Sequence, residues 1–418
     1  MSQRTVTQPL RSRSASARSK ASDHREPRLR KALALAVLTG LGAATLVSAP
    51  AEAAPQPRTR WIVRFSNPAA MQSVRAAGDS VGASRARHTY TNIFPGMATT
   101  LTEREARALR GKRGVVSVTP DRVIRAAETQ VNPPLGLDRV DQKSSRPSRS
   151  YSSRMTGAGV TAYIIDSGIN PSHTEFKGRV VSGPNLVNPG TAPRDCAGHG
   201  THVAGILAGT RFGVAKKATI MPIKVLDCDG TGYESDSLEA LDYVVQHHKP
   251  GRPAVLNISL GGAVTRELST AVQKVIDDGV TVVAAAGNAP RGGKPGPACN
   301  YGPANVPAVL TVANSSTTNY QSPTSNYGSC VDVYAPGVQI QSAWIGSTTA
   351  SKVSSGTSMA APFASGAAAL VLQARPTWTP AMVVTQVLNQ SPRNVIINPT
   401  AGTPNRMLYT IGSVTPAR

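Results

Sequence analysis

The chain has only four cysteines in 418 residues, and none of them precedes residue 190. Cys196, Cys228, Cys299 and Cys330 form no C-x-x-C pair, which argues against thiolate ligation of a metal. An even number in an exported chain favours two disulfides, and four cysteines allow three pairings between which spacing does not choose. A long apolar run is also missing. Ala32 to Val47 is too short and too rich in Ala and Gly for a membrane span, so no stable membrane anchor is expected. No Arg-Arg pair precedes that run, which leaves a twin-arginine route unsupported. No internal repeat is evident, and little follows Met407-Leu408-Tyr409, so no extra C-terminal domain is expected.

Acidic residues are scarce: 23 Asp and Glu face 45 Lys and Arg, a formal charge of +22. Such an excess invites a nucleic-acid reading, so its location matters. Residues 1–127 carry 22 basic and 7 acidic residues, or +15, while residues 128–418 carry 23 and 16, or +7. The latter stretch has no dense Lys/Arg block, and modest positive charge there concerns solubility and steering. No nucleic-acid partner is expected.

Residues 1–53 read as an export signal. Arg28-Leu29-Arg30-Lys31 precedes the apolar run, and Ala51-x-Ala53 is a small-residue cleavage signal. The basic region is long, so a start downstream of Met1 stays open. Residues 54–127 form a separate small unit. Trp61 to Phe65 alternates as a strand, Ala69 to Gly78 reads as a helix, and Phe94 to Leu101 enters a second strand. Thr102 with Glu105 is a capping box that opens a helix through Leu109, and Val115 to Asp121 closes as a strand. The result is a βαββαβ-like, ferredoxin-like α+β pattern.

In residues 128–418, apolar strands alternate with helix-length segments, the signature of a mostly parallel sheet flanked by helices. Strands are expected at 160–165, 220–226, 254–259 and 280–285, and helices at 202–208, 237–247, 268–277 and 358–374. Functional residues in such α/β sheets gather at the carboxyl ends of strands. Asp166 and Asn288 sit at two of these ends.

Three segments carry the chemistry: Ile164-Ile165-Asp166-Ser167-Gly168, Gly198-His199-Gly200-Thr201-His202 and Gly356-Thr357-Ser358-Met359-Ala360. Acyl transfer needs a nucleophile, a base within reach and an anion that orients the base. Taken alone, Ser358 is an N-cap, Asp166 a turn former and Asn288 a turn residue. Together, and in the order Asp…His…Ser, they match one of three known triad orders. The chain resembles the subtilisin-like serine proteases of the peptidase S8 family, in the proteinase K and aqualysin branch. Its small N-terminal unit is similar to their inhibitor I9-type propeptide.

The resemblance implies a three-layer α/β domain over 128–418 and a broad serine endopeptidase, secreted, monomeric and made as a self-processing zymogen. Its partners would be protein and peptide substrates, with its own propeptide as chaperone and inhibitor. Ser358 would be the nucleophile, His199 the base, Asp166 its orienting anion and Asn288 the oxyanion donor. His202 would be structural, and no Glu lies between the two histidines as zinc proteases require, so no catalytic metal is expected. Ser259, Leu260 and Gly261, with Gly230 and Gly232, match the two substrate-binding edges, and Ala285 to Gly287 the first pocket. The small uncharged walls there imply apolar or aromatic residues before the cleaved bond. The resemblance also pairs Cys196 with Cys228 and Cys299 with Cys330. It implies a structural Ca²⁺ held by Asp332 and the carbonyls of Pro307 and Val309. The chain departs from the family pattern at Leu135 for Trp, at Phe363 for His, and at Tyr233-Glu234 beside the fourth subsite.

Overall fold

The computed structural model describes residues 57–76, 86–121 and 128–410. The expected signal at 1–53 and the processing boundary before Glu128 lie outside the described residues. The chain divides into two compact units, Met1–Arg122 and Val123–Arg418.

In the first unit, β1 (Thr59–Phe65), α1 (Pro68–Ala76), β2 (Ala86–Tyr90), β3 (Gly96–Leu101), α2 (Glu103–Arg110) and β4 (Val115–Pro120) follow one another. The four strands make one sheet in the order β2-β3-β1-β4, every pair antiparallel. Alternation in β1 puts Trp61, Val63 and Phe65 on the buried side, against Met71 and Leu109 of the helices. The capping box at Thr102 and Glu105 is present in both directions, so α2 starts where its sequence says it should. β2 was not read from sequence; its Ala-Arg-His-Thr-Tyr stretch has almost no apolar alternation.

The second unit begins with β5 (Glu128–Val131), α3 (Leu135–Val140) and β6 (Ser150–Ser153). It continues through β7 (Thr161–Asp166), α4 (His199–Ala208), β8 (Thr219–Lys224), α5 (Glu234–His247), β9 (Ala254–Ile258), β10 (Gly262–Ala263), α6 (Arg266–Asp277) and β11 (Thr281–Ala285). It ends with β12 (Tyr301–Gly302), β13 (Leu310–Ser315), β14 (Val333–Pro336), β15 (Ile340–Ala343), β16 (Ser351–Ser354), α7 (Thr357–Ala374) and α8 (Pro380–Gln390). Six strands form a parallel sheet in the order β14-β13-β11-β9-β7-β8.

Strands β9, β11 and β13 are buried along their whole length, which explains why they are mostly apolar, with Asn257, Asn314 and Ser315 buried among them. One apolar cluster joins the sheet to α4 and α7, and the other joins its opposite face to α5 and α6. Helix α7 is buried from Met359 to Leu372 and is apolar all round, as a central helix must be. Phe363 is part of this packing, its ring lying where a Cβ on Gly136 would have to go. Both disulfides are present, Cys196–Cys228 and Cys299–Cys330, closing separations of 32 and 31 residues. Each stabilises by about 3–4 kcal/mol on the chain-entropy account. Among the described residues, no helix is long and apolar enough to cross a membrane.

Candidate active site

Asp166 ends β7 and is fully buried. Its Oδ1 accepts the Ser167 N–H at 2.7 Å, and its two oxygens lie 2.8 and 3.0 Å from His199 Nδ1. An ionised carboxylate is acceptor-only, so Nδ1 carries the proton and Nε2 is left as the basic nitrogen. The imidazole is about one-third exposed and lines the main cleft. Burial lowers its pKa, but the Asp166 carboxylate more than reverses this, helped by Asp195, and the net result is a raised value.

His199 is the first residue of α4, and local sequence explains why the helix comes so close to Asp166. A Cβ at Gly200 would collide with the carbonyl oxygen of Gly168. The Gly200 N–H donates instead to Ser167 Oγ at 2.9 Å, and that hydroxyl donates to Asp195 Oδ1 at 2.9 Å. Asp195 also takes the N–H groups of Ala197, Gly198 and Thr201, placing a negative side chain over the start of α4. Buried Lys224 donates to the carbonyls of Ser167 and Leu226 at 2.7 and 2.6 Å. Ser167, Asp195 and Lys224 were not singled out from sequence. A signal existed for Asp195, an Asp three residues ahead of Gly198 at a helix start.

His202, three residues on, plays a different part. It is fully buried, Nε2 lies 3.0 Å from the Lys352 carbonyl oxygen, and burial pushes it down to about 4. It is therefore neutral at working pH. Among the described residues, no group of three or more His, Cys, Asp or Glu side chains is arranged to hold a metal.

Ser358 is the second residue of α7, after Gly356 with φ +149°. Its hydroxyl donates to the Ser259 carbonyl at 2.9 Å rather than to His199. One staggered rotation about χ1 redirects such a hydroxyl. The first-turn N–H of Ser358 has no intrahelical acceptor. Asn288 follows β11, and its Oδ1 accepts the Thr357 N–H at 2.9 Å. A backbone donor on Oδ1 fixes the amide orientation and leaves Nδ2 free to donate beside residue 358.

Gly230, Gly232, Ser259, Leu260 and Gly261 line a cavity of about 570 Å³ together with His199. Gly232, Leu260 and Gly261 belong to no strand, so backbone groups stay open to an extended peptide. Leu241, Ile258 and Leu268 supply an apolar floor, while Tyr233 and Glu234 stand at the wall. Ala285 and Gly287 do not line this cavity; Ala285 ends β11, and Gly287 leads on into Asn288.

Asp332 lies just ahead of β14. Its Oδ2 accepts the Thr311 N–H at 2.8 Å, and burial pushes its carboxyl up to about 6. The nearby Arg406 guanidinium and the Thr311 N–H offset only part of that burial.

Comparison with known proteins gives this geometry its family. Residues 157–412 match the subtilase family of S8 peptidases, and residues 49–127 match the peptidase inhibitor I9 family. The extracellular serine proteinase of a Thermus species is 44% identical over 339 residues, covering 81% of this chain and 80% of that protein. The cuticle-degrading protease of Metarhizium anisopliae is 35% identical, covering 84% and 89%. The crystal structure of a cold-adapted subtilisin-like serine proteinase superposes with a TM-score of 0.64 at 42% identity, over 67% of this chain and 99% of that one. The chain belongs to the subtilase family of serine proteases and carries an I9-type propeptide domain ahead of its protease domain.

Proposed function

We propose that Asp166, His199 and Ser358 act as a catalytic triad in a secreted endopeptidase of broad specificity, processed by its own activity. The observation that carries this reading is the pair of short contacts from a fully buried carboxylate to His199 Nδ1. That contact leaves a neutral Nε2 at the cleft lined by Ser259, whose carbonyl accepts the Ser358 hydroxyl. In the reaction, Ser358 Oγ swings from the Ser259 carbonyl to Nε2 and gives up its proton as it attacks the scissile carbonyl. The new oxyanion takes hydrogen bonds from Asn288 Nδ2 and the Ser358 N–H. His199, now protonated and stabilised by Asp166, passes its proton to the leaving amine. Water then repeats the sequence on the acyl-enzyme.

The substrate lies extended between the edges at Gly230–Gly232 and Ser259–Gly261. The apolar floor favours apolar or aromatic side chains. Secretion is supported by the extracellular proteinase among its relatives and by the sequence pattern of residues 1–53. Asp332, with the Pro307 and Val309 carbonyls, would hold a stabilising Ca²⁺. The test of the central reading is Ser358→Ala expressed as the full chain. We expect a product that keeps residues 54–127 attached and shows no endopeptidase activity. Normal removal of that segment in the variant would refute self-processing by Ser358.

A further inference from the structure

Behind the nucleophile runs a second chain of hydrogen bonds that holds no charge. Ser365 Oγ donates to Asn257 Oδ1 at 2.8 Å, Asn257 Nδ2 donates to Ser259 Oγ at 2.9 Å, and Ser259 Oγ donates to the Ser358 carbonyl at 3.1 Å. Asn257 and Ser365 are fully buried and Ser259 nearly so. The chain crosses from the middle of α7 to β9 and back to the first turn of α7.

Its direction follows from one residue. Pro362 lies inside α7, four residues after Ser358, and has no N–H to give the Ser358 carbonyl. That carbonyl is an orphan acceptor within the helix and needs a hydrogen from elsewhere. Ser259 must therefore spend its single hydroxyl hydrogen on Ser358, and its lone pair then receives the Asn257 amide. The Asn257 oxygen is thereby turned toward Ser365, whose hydroxyl fills it. Ser365 has an alternative acceptor in the Ala361 carbonyl at 3.2 Å, but that oxygen stands four residues back in the helix, where the Ser365 N–H already points. The shorter bond goes to Asn257.

Ser259 thus grips the nucleophile twice: its hydroxyl holds the Ser358 carbonyl, and its own carbonyl takes the Ser358 hydroxyl. We infer that Asn257 and Ser365 are positioning residues for Ser358, acting through Ser259 to fix the first turn of α7 against the oxyanion donors. The inference rests on the reading of Ser358 as nucleophile. Neither residue touches substrate, so loss of the relay slows the chemical step and leaves substrate binding alone.

The experiment is a double-mutant cycle on the processed enzyme, with active sites counted by fluorophosphonate titration. Ser365→Ala removes the first donor at little cost in volume. It should lower kcat about tenfold, in keeping with the loss of one buried hydrogen bond from a network, and leave KM within twofold. In a Ser259→Ala background the same change should have no further effect, because the link it acts through is gone. Ser365→Thr, which keeps the hydroxyl, should restore most of kcat. Asn257→Leu covers the case in which Ser365→Ala fails to fold: of similar volume, it neither accepts from Ser365 nor donates to Ser259, and it should reproduce the drop in kcat. A kcat within twofold of wild type for Ser365→Ala, or a full additive loss in the Ser259→Ala background, would overturn the relay. Absence of fluorophosphonate labelling in the wild type would instead overturn the nucleophile assignment itself.

Discussion

The two halves of the site are prepared in different ways. On the β7 and α4 side, Asp166 already grips His199, and charged groups (Asp195 and Lys224) brace the turn around them. On the β9 and α7 side, Ser358 is turned onto the Ser259 carbonyl, and everything behind it is neutral: hydroxyls, an amide and backbone. On the proposed reading, the proton acceptor is set before substrate arrives, whereas the nucleophile must rotate. The reason is chemical. A buried carboxylate is costly unless it is paired, so its partners are fixed by the fold. A hydroxyl in a neutral setting exchanges one acceptor for another at small cost.

Breaking the charged half should have the larger effect. Asp166→Asn leaves the shape intact but permits the wrong imidazole tautomer, and kcat should fall about 10⁴-fold. Steady-state kinetics on a chromogenic peptide would check this; a loss under tenfold would mean that His199 is oriented by something else. Removing the donor beside the nucleophile costs less. Asn288→Ala should lower kcat about 10²–10³-fold with KM little changed, the range known for the corresponding donor in subtilisin itself. A change confined to KM would instead make Asn288 a binding residue. The smallest effect lies away from both halves. Chelation should lower the thermal midpoint of the wild type by several degrees, and Asp332→Asn should remove that sensitivity, as followed by circular dichroism. An Asp332→Asn enzyme that still responds to chelator in full would refute the proposed role of Asp332 in holding Ca²⁺.

Much of this difference was legible in the sequence, and part of it was not. Asp166, His199 and Ser358 stand out because each breaks an apolar or Gly-rich stretch at the end of a strand or the start of a helix. The parallel sheet was legible for a related reason, since strands buried on both faces read as continuous apolar runs. Asn257 and Ser365 carry a weaker signal, one polar residue each in an apolar strand and an apolar helix. Their meaning depends on a contact across 108 residues, which no local pattern reveals. Pro362 was visible from the start, yet the acceptor it frees has significance only once α7 lies beside Ser259. Gly200 is similar: its need for a missing Cβ comes from Gly168, on another segment.

The raised pKa of His199 fixes the sign of the pH behaviour. Protonated His199 is stabilised by Asp166, and that contribution is complete below about 6.5 and lost as pH rises through the raised value. The neutral, working form grows in over the same window, so activity rises where this stabilisation falls. The most direct measurement is the pH dependence of fluorophosphonate labelling, with the modified residue located by mass spectrometry, in wild type and Asp166→Asn. Labelling should fall on Ser358 alone, rising in a single step with a midpoint above 6.5 in the wild type and a lower midpoint in the variant, where only Asp195 remains to oppose burial. Modification elsewhere, or a midpoint that ignores the loss of the Asp166 carboxylate, would contradict the assignment of these three residues to one proton relay.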